Sequence, residues 1–219
     1  MAVSYKGVVS PTNAPRLPIS PTEYNQRFTD QLLNVLRLYF GTIDNFTQVI
    51  TSGSGSSALR FPYGAFQSTA TQTATVNTAT LLTFNQTDFT NDITMVSGSK
   101  IHVASPGIYN LQFSVQVENT DTADQDVSIW LRQGSGSGAA TDIAGSTGLI
   151  SVPGKHGTTP GHAINGWNYY ISMAADDYIQ IYWSTTNITV SIAAYPATTL
   201  PTRPSTASAV ATLSFVSAL

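Results

Sequence analysis

Three histidines are the residues of this sequence best suited to bind a transition metal or to transfer a proton near neutral pH. His102, His156 and His162 lie in different segments, and none belongs to a His-x-x-x-His or Glu-His group. A metal site would therefore have to be assembled by the fold from distant segments. His156 lies in a loop rich in Gly and Pro, where an exposed imidazole is the usual outcome. We expect no metal and no other cofactor.

Nucleophilic catalysis by serine needs a base and an orienting acid in contact with the hydroxyl group. The sequence has many Ser and Thr residues but no G-x-S-x-G elbow between a strand and a helix. The run GSGSG at 134–138 matches the elbow only loosely and is interpreted as a polar turn. It also lacks the Lys and the following helix of a phosphate-binding loop. The sequence therefore predicts no catalytic residue and no enzyme.

Carboxylates and one aromatic residue leave binding alternatives open. Asp176 and Asp177 can bind calcium, or they can form an exposed turn that begins the next strand. Tyr195, which precedes Pro196, can stack on a sugar or pack in a core. Glycoside hydrolysis would need a pair of carboxylates in a cleft. The acids that a fold could bring together for this purpose are Glu118, Asp121, Asp124 and Asp142.

The composition bears on which partners are expected. Only 10% of the residues are charged and the net charge is −3, so the surface is polar mainly through hydroxyls and amides. No basic run is present that would bind phosphates, and we expect no nucleic-acid partner. The absence of cysteine excludes disulfides and thiolate chemistry. No stretch approaches the ~18 apolar residues of a membrane span and no signal peptide is evident, so we expect a soluble product of the cytoplasm without a membrane partner.

The beginning of the chain predicts an extended arm followed by a helix. Residues 1–20 contain three prolines, which favour extended backbone, and are interpreted as an anchoring arm. Ser20 as N-cap and Pro21 at the first helical position mark the start of the helix. The helix is expected to run from about residue 21 to residue 40, with Gly41 as its stop.

The segment 21–50 carries an apolar stripe and is interpreted as an amphipathic stalk or anchor. Twenty helical residues span about 30 Å, and an apolar stripe of that length is not left in water. The stripe can fold back onto its own chain, or it can bind identical copies or a larger assembly, and the linker that follows favours the second alternative. The residues expected at this oligomer or anchor interface are Phe28, Leu32, Val35, Leu36, Tyr39 and Ile43.

A Gly/Ser-rich linker at 51–61 is expected to separate the helix from a β domain at 62–219. The clearest strand, IYNLQFSVQVE at 108–118, alternates apolar and polar residues. About nine short strands without a helical pattern between them predict a mainly β fold, an antiparallel jelly-roll β-sandwich. The other expected strands are at 72–84, 94–104, 126–133, 142–151, 163–173, 178–184, 187–194 and 208–217.

Two of these strands are apolar on both faces. Ile129 and Leu131 flank Trp130, and in the strand at 178–184 isoleucines alternate with tyrosines. A strand with one face in water should not have this pattern. We expect either aromatic packing under long loops or, preferably, an outer face buried against identical subunits. The expected trimer-interface aromatics are Trp130, Tyr178 and Tyr182.

The stretch KIHVASPGIYNLQFSVQVENTDTADQDVSIWLRQG resembles the central part of the trimeric jelly-roll superfamily that includes tumour necrosis factor and the complement globular heads. In that superfamily a Pro-Gly-x-Tyr turn leads into an alternating strand. The later WNYYISMAADDYIQIYWS is similar to its next signature, with Ala175-Asp176-Asp177 in place of the commoner Gly-Asp. ATLSFVSAL corresponds to the closing strand. The resemblance implies a homotrimer.

The combination of LPISPTEYNQRFTDQLLNVLRLYFGTIDNF with such a head resembles small virion proteins of tailed bacteriophages, of the head-fibre or decoration type. This resemblance implies a structural protein of the virion, assembled in the host cytoplasm. The expected function is capsid decoration by a homotrimeric head-fibre or cement protein, bound to the major capsid protein or another virion protein. The alternative is a fibre or adhesin of the tail or neck whose jelly-roll loops bind host surface glycan.

Overall fold

The computed structural model of this protein describes residues 15–19, 21–51 and 61–218, without the side chains of residues 46–51. The chain divides into two compact units, Met1–Arg60 and Phe61–Leu219. Residues 15–19 form neither helix nor strand. The rest of the expected anchoring arm and nearly all of the expected linker lie outside the described residues, so both stay predictions.

The helix α1, Gln26–Thr51, begins later and ends later than the sequence predicts. Its N-cap is Asn25, whose Oδ1 accepts a hydrogen bond from the Phe28 N–H at 3.2 Å. Pro21 is not helical, and Ser20, the predicted N-cap, lies outside the described residues. Gly41 does not stop the helix because it keeps a helical φ. A glycine costs a helix only about 1 kcal/mol, and it acts as a stop only when it adopts the left-handed conformation.

The second unit consists of strands and loops. Its long strands each carry alternating apolar residues, whereas the two-residue strands are short pairings at the edges and ends of the sheets. The strands are β1 Tyr63–Ser68, β2 Gln72–Thr73, β3 Thr80–Leu81, β4 Gln86–Asn91, β5 Ile93–Val96, β6 Lys100–Val103, β7 Gly107–Asn119, β8 Gln125–Ser135, β9 Thr141–Asp142, β10 Gly148–Val152, β11 Gly161–Met173, β12 Asp177–Thr185, β13 Val190–Ile192, β14 Thr198–Thr199, β15 Thr202–Arg203 and β16 Ala209–Ser217.

Two seven-stranded antiparallel sheets form a sandwich. In the first sheet β11 pairs along the whole of β7, and β16, β1 and β4 follow on the other side of β7, with β13 and β2 at its end. The second sheet has the order β10-β8-β12-β6-β5, and in addition β9 pairs with β8 and β3 pairs with β12. The jelly-roll β-sandwich with one helix before it is thereby confirmed as the fold.

The hydrophobic core lies between the two sheets. Strand β7 buries Tyr109, Leu111, Phe113, Val115 and Val117, the residues of its expected apolar face. The second sheet contributes residues such as Ile129, Ile181 and Trp183 to the same cluster. Because both sheets bury alternate residues, the other residues of each strand form the two outer faces.

The strand predictions fail where the pattern is not a simple alternation. The segment 72–84 contains only the short strands β2 and β3, and 94–104 contains a hairpin of β5 and β6. The sequence reading missed β1 because its central residues Gly64, Ala65 and Phe66 are all buried. It also missed β4, an edge strand with almost no apolar residue.

Candidate functional site

Helix α1 places the six expected interface residues on one side, and all six are half-buried. The large apolar residues Leu33, Leu38 and Phe40 are more than half exposed. At 3.6 residues per turn, Leu33 and Phe40 lie next to the expected stripe. The stripe and these two residues form an apolar arc over roughly half of the helix circumference. We call this surface the apolar arc.

Two of the three expected interface aromatics, Trp130 and Tyr182, lie side by side on the outer face of the second sheet. They are cross-strand partners, and their rings stack with centroids 5.9 Å apart. The Arg132 guanidinium lies over the Tyr182 ring at 4.1 Å from its centroid. Asp142 accepts hydrogen bonds from Arg132 Nε at 2.6 Å and from Trp130 Nε1 at 2.9 Å. The pKa of Asp142 is lowered, mainly by the Arg132 hydrogen bond.

Tyr178, the third expected aromatic, is only 2% exposed and is covered by its own chain. Its cross-strand partner Gly134 has no side chain, and a Cβ there would overlap the Tyr178 ring. Lys100 Nζ lies 4.1 Å from the ring centroid, and the hydroxyl donates to the Gly138 carbonyl at 2.5 Å. The Tyr178 ring is therefore covered within its own chain, which fits the first of the two explanations given for the doubly apolar pattern, aromatic packing under a loop. A contact of Trp130 and Tyr182 with an identical subunit stays a prediction.

The acids considered for glycan chemistry each have a structural partner. Glu118 accepts a hydrogen bond from the Tyr195 hydroxyl at 2.5 Å, and Asp124 accepts one from the Gly154 N–H at 2.8 Å. Asp121 accepts bonds from backbone N–H groups, which lower its pKa, and from Asn187 Nδ2 at 2.8 Å. Asp142 accepts the hydrogen bonds from Trp130 and Arg132 described above. These contacts connect loops to strands and do not form a carboxylate pair that faces a cleft.

Asp176 lies in the turn that precedes β12, and Asp177 is the first residue of that strand. Asp176 has a φ of 66°, and Asp177 Oδ2 accepts the Ala174 N–H at 2.8 Å and Gln133 Nε2 at 3.0 Å. Of the two alternatives, this geometry favours the turn over a calcium site. The run at 134–138 is the end of β8 and a turn, as expected.

The histidines are not brought together. His102 pairs with Tyr178 in the second sheet, His162 lies on β11 in the first sheet, and His156 lies in the loop between β10 and β11. Within the described residues, no group of three or more His, Cys, Asp or Glu side chains could hold a metal ion. In the same part of the chain, no helix is both long enough and apolar enough to cross a membrane.

The outer face of the first sheet carries no charged side chain along much of its length. Tyr170, Asn110 and Ser214 are paired across β11, β7 and β16, as are Asn168, Gln112 and Thr212 in the next outward row. A shallow groove of about 560 Å³ lies on this face where Gly166 has no side chain. Ile164 and Tyr170 are 72% and 66% exposed. We call these two rows, together with Ile164, the uncharged face.

A smaller recess, which the sequence analysis did not predict apart from its mention of Tyr195, lies on the first sheet. It has a volume of about 230 Å³. We call it the Tyr195 recess. Its lining residues are Gln116, His162, Tyr195, Arg203 and Thr206.

Comparison with known proteins identifies a distant structural similarity and no sequence family. The structure is similar to the globular domain of zebrafish complement 1qA protein, at 12% sequence identity and a TM-score of 0.44. The alignment covers 73% of this chain and 100% of that chain. No protein-family model matches the sequence, and no curated protein matches it. A similarity at this level does not identify ligands or partners.

Proposed function

We propose that the protein is a structural, non-enzymatic component of a bacteriophage particle, a homotrimeric capsid-decorating protein of the head-fibre or cement type. The N-terminal arm and α1 attach it to the major capsid protein or to another virion protein, and the sandwich is displayed outward. The observation that carries this proposal is the apolar arc of α1, which belongs to a different compact unit from the sandwich.

The apolar arc is too large to remain in water. A helix of 26 residues is about 39 Å long, and the apolar arc occupies the part from Phe28 to Ile43, about 24 Å. A two-stranded coiled coil buries only a narrow seam, whereas a broader arc suits contact with more than one neighbour. Three helices that pack around an axis, or one helix that docks in a groove of the shell, would bury it.

The uncharged face of the sandwich is a second surface that supports self-association. Removing charged groups from water is costly, so an interface core depleted of charge favours association. Ile164 and Tyr170 add exposed apolar area. A second copy of the chain on this face would cover this apolar area.

Binding, rather than catalysis, is the mode of action that fits the arrangement of the polar groups. The carboxylates that a hydrolase would need are bound to loops and to neighbouring side chains, as Glu118 and Asp142 illustrate. The energy of attachment then comes from apolar burial by α1 and from docking of the arm.

The test is a double substitution in the apolar arc, Leu32→Asp with Leu36→Asp. Two charges buried in the apolar arc should cost several kcal/mol per contact, so we expect loss of the trimer in analytical ultracentrifugation. Particle attachment, measured by co-sedimentation with purified virions, should be lost as well. The sandwich should keep its circular dichroism spectrum, because the core that the described residues form lies within Phe61–Leu219.

The matched control is Gln31→Asp with Asn34→Asp, which adds the same charge to exposed positions of the same helix. This variant should trimerise and attach like the parent protein. Normal decoration by the Leu32/Leu36 variant would refute attachment through α1. Copy number separates the two virion locations, since tens to hundreds of copies per particle indicate decoration and a few copies indicate a tail or neck fibre.

A further inference from the structure

The Tyr195 recess is built from three parts of the chain that the fold brings together. Gln116 and Glu118 project from β7, and His162 of β11 is the cross-strand partner of Glu118. Tyr195 and Thr206 form a two-residue antiparallel bridge, with backbone hydrogen bonds of 3.1 and 2.8 Å in the two directions. Arg203 is the last residue of β15 and is the cross-strand partner of Thr198. Backbone pairing therefore positions all five lining residues.

Tyr195 forms the aromatic side of the recess, and its side chain is held in one position. The Tyr195 hydroxyl donates to Glu118 Oε2 at 2.5 Å and lies 3.2 Å from His162 Nδ1. The rings of Tyr195 and His162 are nearly perpendicular, with centroids 5.8 Å apart. Burial, followed by the bond to Glu118, raises the pKa of Tyr195, so the phenol stays protonated. The Glu118 carboxylate is occupied by this bond and does not line the recess.

The recess also contains hydrogen-bond donors that the protein does not fully use itself. Arg203 makes one side-chain hydrogen bond, from Nη1 to Thr206 Oγ1 at 3.3 Å, and no carboxylate of the described residues lies within 4.0 Å of it. A guanidinium has five N–H donors, so it can still bind a carboxylate with two parallel hydrogen bonds. Arg132, in contrast, already binds Asp142. The side-chain amide of Gln116 and the hydroxyl of Thr206 add neutral hydrogen-bonding groups.

An aromatic wall, an amide, a hydroxyl and a guanidinium together suit a sugar that carries an acid group. The apolar face of a sugar ring packs on an aromatic ring, while its hydroxyls need amide and hydroxyl partners. Pockets for drug-sized ligands begin at about 300 Å³, so a recess of about 230 Å³ has room for one sugar residue. The acid group is the natural partner of Arg203.

We propose that the Tyr195 recess binds a single carboxylate-bearing sugar residue, with its carboxylate on Arg203 and its ring against Tyr195. This inference does not depend on particle attachment, and no second copy is needed to complete the recess, because every residue of it belongs to one sandwich. The recess adjoins the uncharged face, since Gln116 is the cross-strand partner of Ile164.

The experiment is a titration of the full chain with methyl β-D-glucuronide and with methyl β-D-glucoside, which differ at the carboxylate. Chemical shifts of the Gln116 and Thr206 amides in NMR spectra report binding. We expect saturable shifts with the glucuronide and about tenfold weaker binding of the glucoside, because one charge-assisted contact is lost. Equal affinity for the two sugars, or no saturable shift with the glucuronide, would overturn the proposal.

Arg203→Gln tests the assignment of the carboxylate to this residue. Arg203 is exposed, so the variant should fold, which its thermal unfolding curve checks. Its preference for the glucuronide should fall about tenfold, whereas Lys155→Gln, which removes a charge from another loop, should keep the parent preference. A folded Arg203→Gln protein that still prefers the glucuronide, or inorganic phosphate that produces the same shifts with the same affinity, would refute a sugar-acid site.

Discussion

One buried asparagine holds three segments of the sandwich together. Asn119 is fully buried, and its Nδ2 lies within hydrogen-bond distance of the carbonyls of Ala123, Val152 and Pro153, at 2.9, 3.2 and 3.2 Å. Its Oδ1 accepts the Asp121 N–H at 2.9 Å. This side chain thereby makes hydrogen bonds to backbone groups in the loop after β7 and at the end of β10, where buried polar groups need a partner.

Replacement of this residue, Asn119→Ala, should therefore destabilise the sandwich strongly. A buried carbonyl that loses its donor costs about 1–3 kcal/mol, and we expect the free energy of unfolding to fall by about 3 kcal/mol in urea titrations. The control is Asn168→Ala, at an exposed position of β11, which should change it by less than about 0.5 kcal/mol. Equal effects of the two substitutions would contradict this role of Asn119.

Strand β11 shows how an element depends on the loops that cover its ends. Gly161, its first residue, is buried, and a Cβ at this position would overlap the Pro153 carbonyl oxygen. At Gly166, in the middle of the same strand, the nearest atom to a Cβ would be the Phe113 carbonyl oxygen at 3.3 Å. The two glycines have different roles: Gly161 permits close contact between two backbones, and Gly166 leaves room on an outer face.

The same substitution at both positions separates these roles. Gly161→Ala should lower the free energy of unfolding by about 2 kcal/mol, because the backbone at Pro153 has to move. Gly166→Ala should change it by less than about 0.5 kcal/mol, since its neighbours need only a small shift. Thermal denaturation followed by circular dichroism measures both. A Gly166→Ala protein less stable than Gly161→Ala would show that the assignment is wrong.

At the scale of the whole molecule, the chain consists of two units that are expected to act separately. Among the described residues, every member of the hydrophobic core lies in Phe61–Leu219. A unit with its own core can keep its fold when it is separated from the rest of the chain.

Trypsin should therefore cleave after Arg60, at the junction of the two units, and release Phe61–Leu219 as a resistant fragment. We expect its unfolding temperature to lie within about 4 °C of that of the sandwich in the full chain, equivalent to about 1 kcal/mol or less. Mass spectrometry identifies the fragment and calorimetry measures the transition. Rapid degradation of the released sandwich would mean that it depends on the first unit.

The sequence by itself determined the mainly β fold, the core face of β7 and the presence of a helix with an apolar stripe. These features follow from periodicity, because burial of alternate residues in a strand, or of every third and fourth residue in a helix, is visible in a local window. The missed strands β1 and β4 lack such a period, since one is buried on both faces and the other is an exposed edge.

Only the tertiary structure decided where α1 begins, what covers Tyr178 and which residues form the Tyr195 recess. The Asn25 cap competes with Ser20 at energies too similar for the sequence to rank. Tyr178 is covered by Lys100 and by the loop at Gly138. Gln116 of β7 and Arg203 of β15 line one recess although they lie far apart in the chain. Contacts between residues so distant in the chain depend on register and loop path, which no local pattern contains.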